Sequence, residues 1–161
     1  MKRFIGVVLG FLAACTLHAR LGETEAQLVE RYGKILLRSP ESVVEQGKIY
    51  ALADDLHFQA DGWTIIARLV NGRCESISYG KPGEWTEEQY RYLLEANGSR
   101  AQWQEQKTSS PKMHREWKRR DQATAIWGMM HGMTFETPAY NQARESLKKR
   151  AKDEASKLPK F

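Results

Sequence analysis

Two cysteines, Cys15 and Cys74, are all that this chain of 161 residues contains. A disulfide-stapled mini-protein is thereby excluded, and a chain of this length can build a core without staples. Histidine is scarce too. His18, His57, His114 and His131 make no H-x₃-H or H-E-x-x-H pattern and have no Cys-x-x-Cys beside them, so neither a metal site nor a cofactor is expected. There is no Gly-x-Ser-x-Gly turn and no phosphate-cradling glycine loop. Asp54-Asp55 reads as a solvated turn before a strand, His57 as the polar face of that strand, and His131 as a turn residue before Gly132. Cys74 reads as a small, semi-buried strand residue. Acids, bases and nucleophiles in the mutual arrangement that catalysis needs are not visible, and an enzyme is not expected. Also missing is an apolar run near the roughly 20 residues that span a bilayer.

What is present begins at the N-terminus. Lys2 and Arg3 precede an uncharged apolar run, Phe4 to Ala14, and small residues lead into Cys15. This is the layout of a secretory signal. Leu12-Ala13-Ala14-Cys15 resembles the lipobox of bacterial lipoproteins, which implies cleavage after residue 14 and lipidation of Cys15. Leu17-His18-Ala19 offers an alternative cleavage site after residue 19, although Leu17 is large for it.

Charge is unevenly spread. Residues 16–106 carry 10 basic and 14 acidic groups, residues 107–120 six basic and one acidic, and residues 144–161 seven basic and three acidic. The chain is acidic first and basic last. Such a basic region suits an acidic protein face or anionic lipid, and export argues against nucleic acid. Within it Trp117 stands among Arg115, Lys118, Arg119 and Arg120. An aromatic among arginines is a candidate interaction surface with Trp117 as its anchor. The alternative is that Trp117 points inward from an edge strand whose charges block edge-to-edge pairing.

Along the body of the chain, residues 15–23 read as a tether. Thr24-Glu25-Ala26-Gln27 and Thr86-Glu87-Glu88-Gln89 are capping boxes, predicting helices at about 25–32 and 86–96, closed by Gly33 and by Asn97-Gly98. Ser39-Pro40-Glu41-Ser42 reads as a loop or a single turn. Strands are expected from Lys48 to Leu52 and from Leu56 to Ala60. Asp61-Gly62 and Asn71-Gly72 are two-residue hairpin turns that define a meander with Trp63–Val70 and Arg73–Tyr79. Further strands are expected at Ala101–Trp103, His114–Arg120, Ala123–Trp127 and Met133–Phe135, and Thr137-Pro138 opens a basic helix.

The run Gly22-x-Thr24-x-x-Gln27-Leu28-x-x-x-Tyr32-Gly33, followed by a meander, resembles the small bacterial envelope lipoproteins of the SmpA/OmlA type over residues 21–80. Leu28 and Tyr32 stand where that family prefers Val and Leu, and residues 84–161 have no counterpart in it. The resemblance implies an α+β module and a non-catalytic accessory role in the envelope.

The expected architecture is α+β: an antiparallel meander sheet of about six or seven strands, packed on one face by short helices, with a basic C-terminal helix. The expected organisation is a signal at 1–14 (alternatively 1–19), a tether at 15–23, one domain at 24–143 and a basic helical tail at 144–161. The expected function is non-catalytic: a cell-envelope protein, anchored in the membrane through Cys15, that binds another envelope protein. One alternative is a soluble periplasmic or secreted binding or inhibitor-type protein. Another is a small enzyme using His57 or Cys74.

Overall fold

The computed structural model describes residues 21–45, 47–98 and 102–156. Helix α1 (Glu25–Tyr32) is followed by strands β1 (Leu37–Glu45), β2 (Lys48–Ala60), β3 (Trp63–Val70) and β4 (Arg73–Gly80). Helix α2 (Glu87–Ala96) is followed by β5 (Trp103–Glu105), β6 (His114–Arg119), β7 (Thr124–Gly128) and β8 (Gly132–Glu136), and α3 (Pro138–Ser156) closes the chain. The eight strands form one antiparallel sheet in the order β1-β2-β3-β4-β8-β7-β6-β5. The protein is therefore α+β, with eight strands instead of six or seven.

The order reads alike from both edges. Each half runs helix and then four-stranded meander, and the last strands of the two halves, β4 and β8, pair at the centre. Both meander helices open on Thr-Glu-x-Gln. Gln27 Oε1 accepts from the Thr24 N–H at 2.9 Å, and Gln89 Oε1 accepts from the Thr86 N–H at 3.0 Å. These bonds satisfy backbone donors that a helix start leaves without a partner.

The hairpin turns follow from their residues. Asp61 and Gly62 take φ of 50° and 79°, and Asn71 and Gly72 take 52° and 75°. Positive φ at both positions matches the twist of the flanking strands. The strand missing from the sequence reading is β1, which contains the whole of Ser39–Ser42. It is an edge strand, where a proline's missing N–H breaks no ladder. Residues 48–60 form one strand whose register against β1 shifts between Glu41 and Ser42, leaving Leu52 as the extra residue of a bulge.

Alternation assigns the side chains to two faces. On one face Leu56, Phe58, Ile65, Ala67, Ile77, Tyr79, Trp117, Ala125, Trp127, Met133 and Phe135 join Leu28 and Tyr32 of α1 and Tyr90, Leu93 and Leu94 of α2 in the main core. On the other face Leu52 and Ala53 form a smaller cluster with Tyr140, and Val43, Val70, Ala143 and Leu147 pack against it. Helix α3 thus lies over β1 and β2, on the face opposite to α1 and α2. Gly22 N–H donates to the Cys74 carbonyl at 2.7 Å and Cys74 N–H to the Glu23 carbonyl at 2.8 Å, so the chain is joined to the sheet from residue 22 onward. Helix α3 runs without a break across residues 143 and 144. No helix among the described residues is long and apolar enough to cross a membrane.

Candidate functional site

The cationic run on β6 is distributed by the pleat. Arg115, Trp117 and Arg119 share the core face, while Lys118 and the following Arg120 are exposed. Trp117 is 4% exposed, with its ring 6.0 Å from that of Tyr90. Arg115 lies over both rings, 4.8 Å from Tyr90 and 5.0 Å from Trp117. Its Nε donates to Glu105 at 2.8 Å and its Nη1 to Glu87 at 2.5 Å, which ties β6 to β5 and to the start of α2. Arg119 lies 5.0 Å over Trp103, donates to Asp121 at 2.7 Å and also donates to the Asn97 carbonyl. The two arginines are thus spent on internal pairs and stacking, as planar guanidinium groups allow. Trp117 is not an exposed anchor. It points inward, as the alternative reading had it, but from an interior strand, since β5 forms the edge beyond β6. Helix α3 lies over β1, β2 and β4, with β8 and β7 between it and β6. The two basic segments therefore do not merge into one surface.

The other sequence candidates are dispersed. Asp54 and Asp55 sit in β2 and not in a turn, so their side chains leave the strand on opposite sides and do not form a pair. His57 is half-buried on the α3 face. Cys74 is fully buried in the main core and donates weakly to the Ser76 carbonyl at 3.4 Å. Burial, with Glu23 and Glu75 adding to it, pushes its thiol up to about 12. A thiol held there stays protonated at neutral pH and is a poor nucleophile. In a Cys15→Ser protein, where Cys74 is the remaining thiol, a disulfide reagent is expected to react only as fast as the protein unfolds. Rapid native-state labelling would show that Cys74 is accessible after all. Cys15 and His18 lie outside the described residues.

The α3 face carries a polar cluster that no spacing announced. Arg68 of β3 stands 3.4 Å from Glu41 and 3.8 Å from Asp55, and its Nη1 donates to Ser78 at 2.9 Å. The Tyr140 hydroxyl donates to both Glu41 oxygens, at 2.6 and 2.8 Å. Burial first, and then the bond to Glu41, raises the Tyr140 pKa above the usual tyrosine range, so the phenol remains a donor. Burial also raises the Asp55 pKa, against the pull of Arg68. With its charges paired internally, the cluster clamps the start of α3 to β1 and β3. On the main-core side an aromatic cleft of about 220 Å³ is lined by Tyr32, Trp63, Ile65, Tyr79, Tyr92 and Leu93. The Tyr32 and Tyr79 hydroxyls lie 3.2 Å apart inside it. These residues come from α1, α2, β3 and β4, so only the folded sheet brings them together.

What the helices leave uncovered is the far half of the α3 face. In register across the strands stand Ile66, Ser78, Thr134, Ile126 and Glu116. Thr64 and Gln59 lie on one side of that row, and Lys118 and Gln104 on the other. Gln59, Thr64, Ile126, Lys118 and Gln104 are exposed. The surface is mixed in chemistry, with isoleucines among hydroxyl, amide and charged groups. No family model, no curated protein and no solved structure matches the chain.

Proposed function

We propose that this is an exported, lipid-anchored and non-catalytic protein of the cell envelope that binds another envelope protein through the open half of its sheet. The observation that carries the reading is the uncovered row from Ile66 to Glu116. Ile66 and Ile126 would form the apolar centre of such a contact, and the hydroxyl, amide and charged groups around them its polar rim. The signal layout and Cys15 support export and anchoring, and the likeness of residues 21–80 to the SmpA/OmlA-type module supports the envelope setting. The basic character of α3, with Lys148, Lys149, Arg150 and Lys152, suits a position near anionic lipid headgroups.

Two measurements test the reading. Wild type is expected in the membrane fraction and Cys15→Ser in the soluble fraction. If both are soluble with Arg20 at the N-terminus, the anchor is wrong and the secreted alternative gains. A photo-crosslinking residue at Thr64 or Ile126 is expected to give a discrete adduct in whole cells, and the same residue at Glu95, exposed on α2, is not. Equal adducts from both sides, or none from the sheet, would move the binding surface elsewhere.

A further inference from the structure

A short chain of hydrogen bonds ends in the aromatic cleft on the main-core side. It starts at Asn97, which closes α2 and is 2% exposed. The Asn97 Nδ2 donates to the Leu93 carbonyl at 3.1 Å, which fixes the orientation of the amide, and to the Tyr79 hydroxyl at 3.5 Å. The Tyr79 oxygen therefore accepts, and its proton is directed to the Tyr32 oxygen, 3.2 Å away. Burial raises the pKa of both phenols, so both keep their protons at neutral pH. The Tyr32 proton closes the chain and has no acceptor among the described residues. A buried donor without an acceptor is costly, and a ligand that brings an acceptor relieves that cost.

The lining defines the rest of the ligand. The Trp63 and Tyr79 rings stand at 89° with their centroids 6.5 Å apart, and Ile65 and Leu93 add aliphatic surface. Ring faces and edges set in this way seat a further flat ring well. The cleft holds about 220 Å³. A cavity of about 150 Å³ admits benzene, so one substituted ring is the size that fits. Asp61, exposed in the turn between β2 and β3, also lines the cleft and opposes an anion. Arg31, close enough to act on Tyr92, is held by Glu23 at 2.5 Å.

We propose that this cleft binds an uncharged, single-ring aromatic carbonyl compound, with the ring against Trp63 and Tyr79 and the carbonyl oxygen accepting from the Tyr32 hydroxyl. A carbonyl oxygen is an acceptor only, which is what the end of the chain lacks. The cleft lies on the opposite face of the sheet from the open row, so the proposal stands apart from the reading of that row.

The test titrates the full chain, followed by NMR, with acetophenone and with ethylbenzene, which has nearly the same outline and no acceptor. Acetophenone is expected to saturate at one equivalent and to give nuclear Overhauser effects to Trp63 and Tyr92. It should bind about fivefold more tightly than ethylbenzene, the worth of one net hydrogen bond. Tyr32→Phe should erase that preference and leave ethylbenzene binding unchanged. Ala60→Leu, which sets a larger side chain in the lining at the end of β2, should weaken both ligands. Failure to saturate, or binding unchanged in Ala60→Leu, would overturn the site. Equal affinities in wild type, or a preference that survives Tyr32→Phe, would show that the Tyr32 hydroxyl recognises no acceptor. Benzoate binding more tightly than acetophenone would also overturn the proposal, since the ligand would then be an anion.

Discussion

Trp117→Ala is expected to lower the unfolding free energy by about 3–5 kcal/mol, the usual cost of removing a buried tryptophan. The ring is 4% exposed and packs beside Tyr90 of α2, with Arg115 stacked over both. Its loss leaves a void beneath α2 and takes from Arg115 one of the two rings on which the guanidinium rests. A domain's whole stability is about 5–15 kcal/mol, so the variant should approach the margin of folding. Trp117→Phe refills part of the space and should lose less. Urea unfolding of the three proteins measures the effect. If Trp117→Ala unfolds like wild type, the ring does not carry α2, and an exposed binding role for it returns.

The misleading part of this segment lay in its charges. Arg115, Trp117 and Arg119 alternate onto one face, and arginine beside tryptophan looked like a wet surface. Planar guanidinium groups can stack and pair instead, and Glu87, Glu105 and Asp121 provide the partners. Glu87 is remote in sequence, so the pairing could not be read locally. What was legible had local causes: the two Thr-Glu-x-Gln caps, the Asp-Gly and Asn-Gly turns, and the alternation of β3. Strand β1 escaped because Ser39, Pro40, Glu41 and Ser42 are turn residues everywhere except on a sheet edge. The clamp of Tyr140 on Glu41, 99 residues apart, left no pattern to find.

The seam between the two halves gives the other large effect. Gly132 begins β8 with φ of 74°, and its Cα faces the end of β4. A Cβ there would fall on the Tyr79 carbonyl oxygen, with the Tyr79 carbonyl carbon at 3.1 Å and the Gly80 Cα at 3.2 Å. All three obstacles are backbone, so no rotamer change relieves them, and β8 must move away from β4. That pairing, from Ser76↔Glu136 to Tyr79↔Met133, is the ladder that joins the two meanders into one sheet. Gly72 supplies the control. Its φ of 75° is nearly the same, but nothing stands within 4 Å of the Cβ position. Gly72→Ala should therefore cost only backbone strain, about 1–2 kcal/mol for an L-residue in that region. Gly132→Ala should cost that strain and, in addition, the displacement of β8. The sum is expected to exceed about 4 kcal/mol, the range reached only by severe core or backbone faults. The difference between the two variants isolates the close approach of β8 to β4 from the conformational penalty common to both. Equal losses in chemical denaturation would mean that the seam yields to a methyl group at no cost, and that the two halves are not held as tightly as their pairing implies.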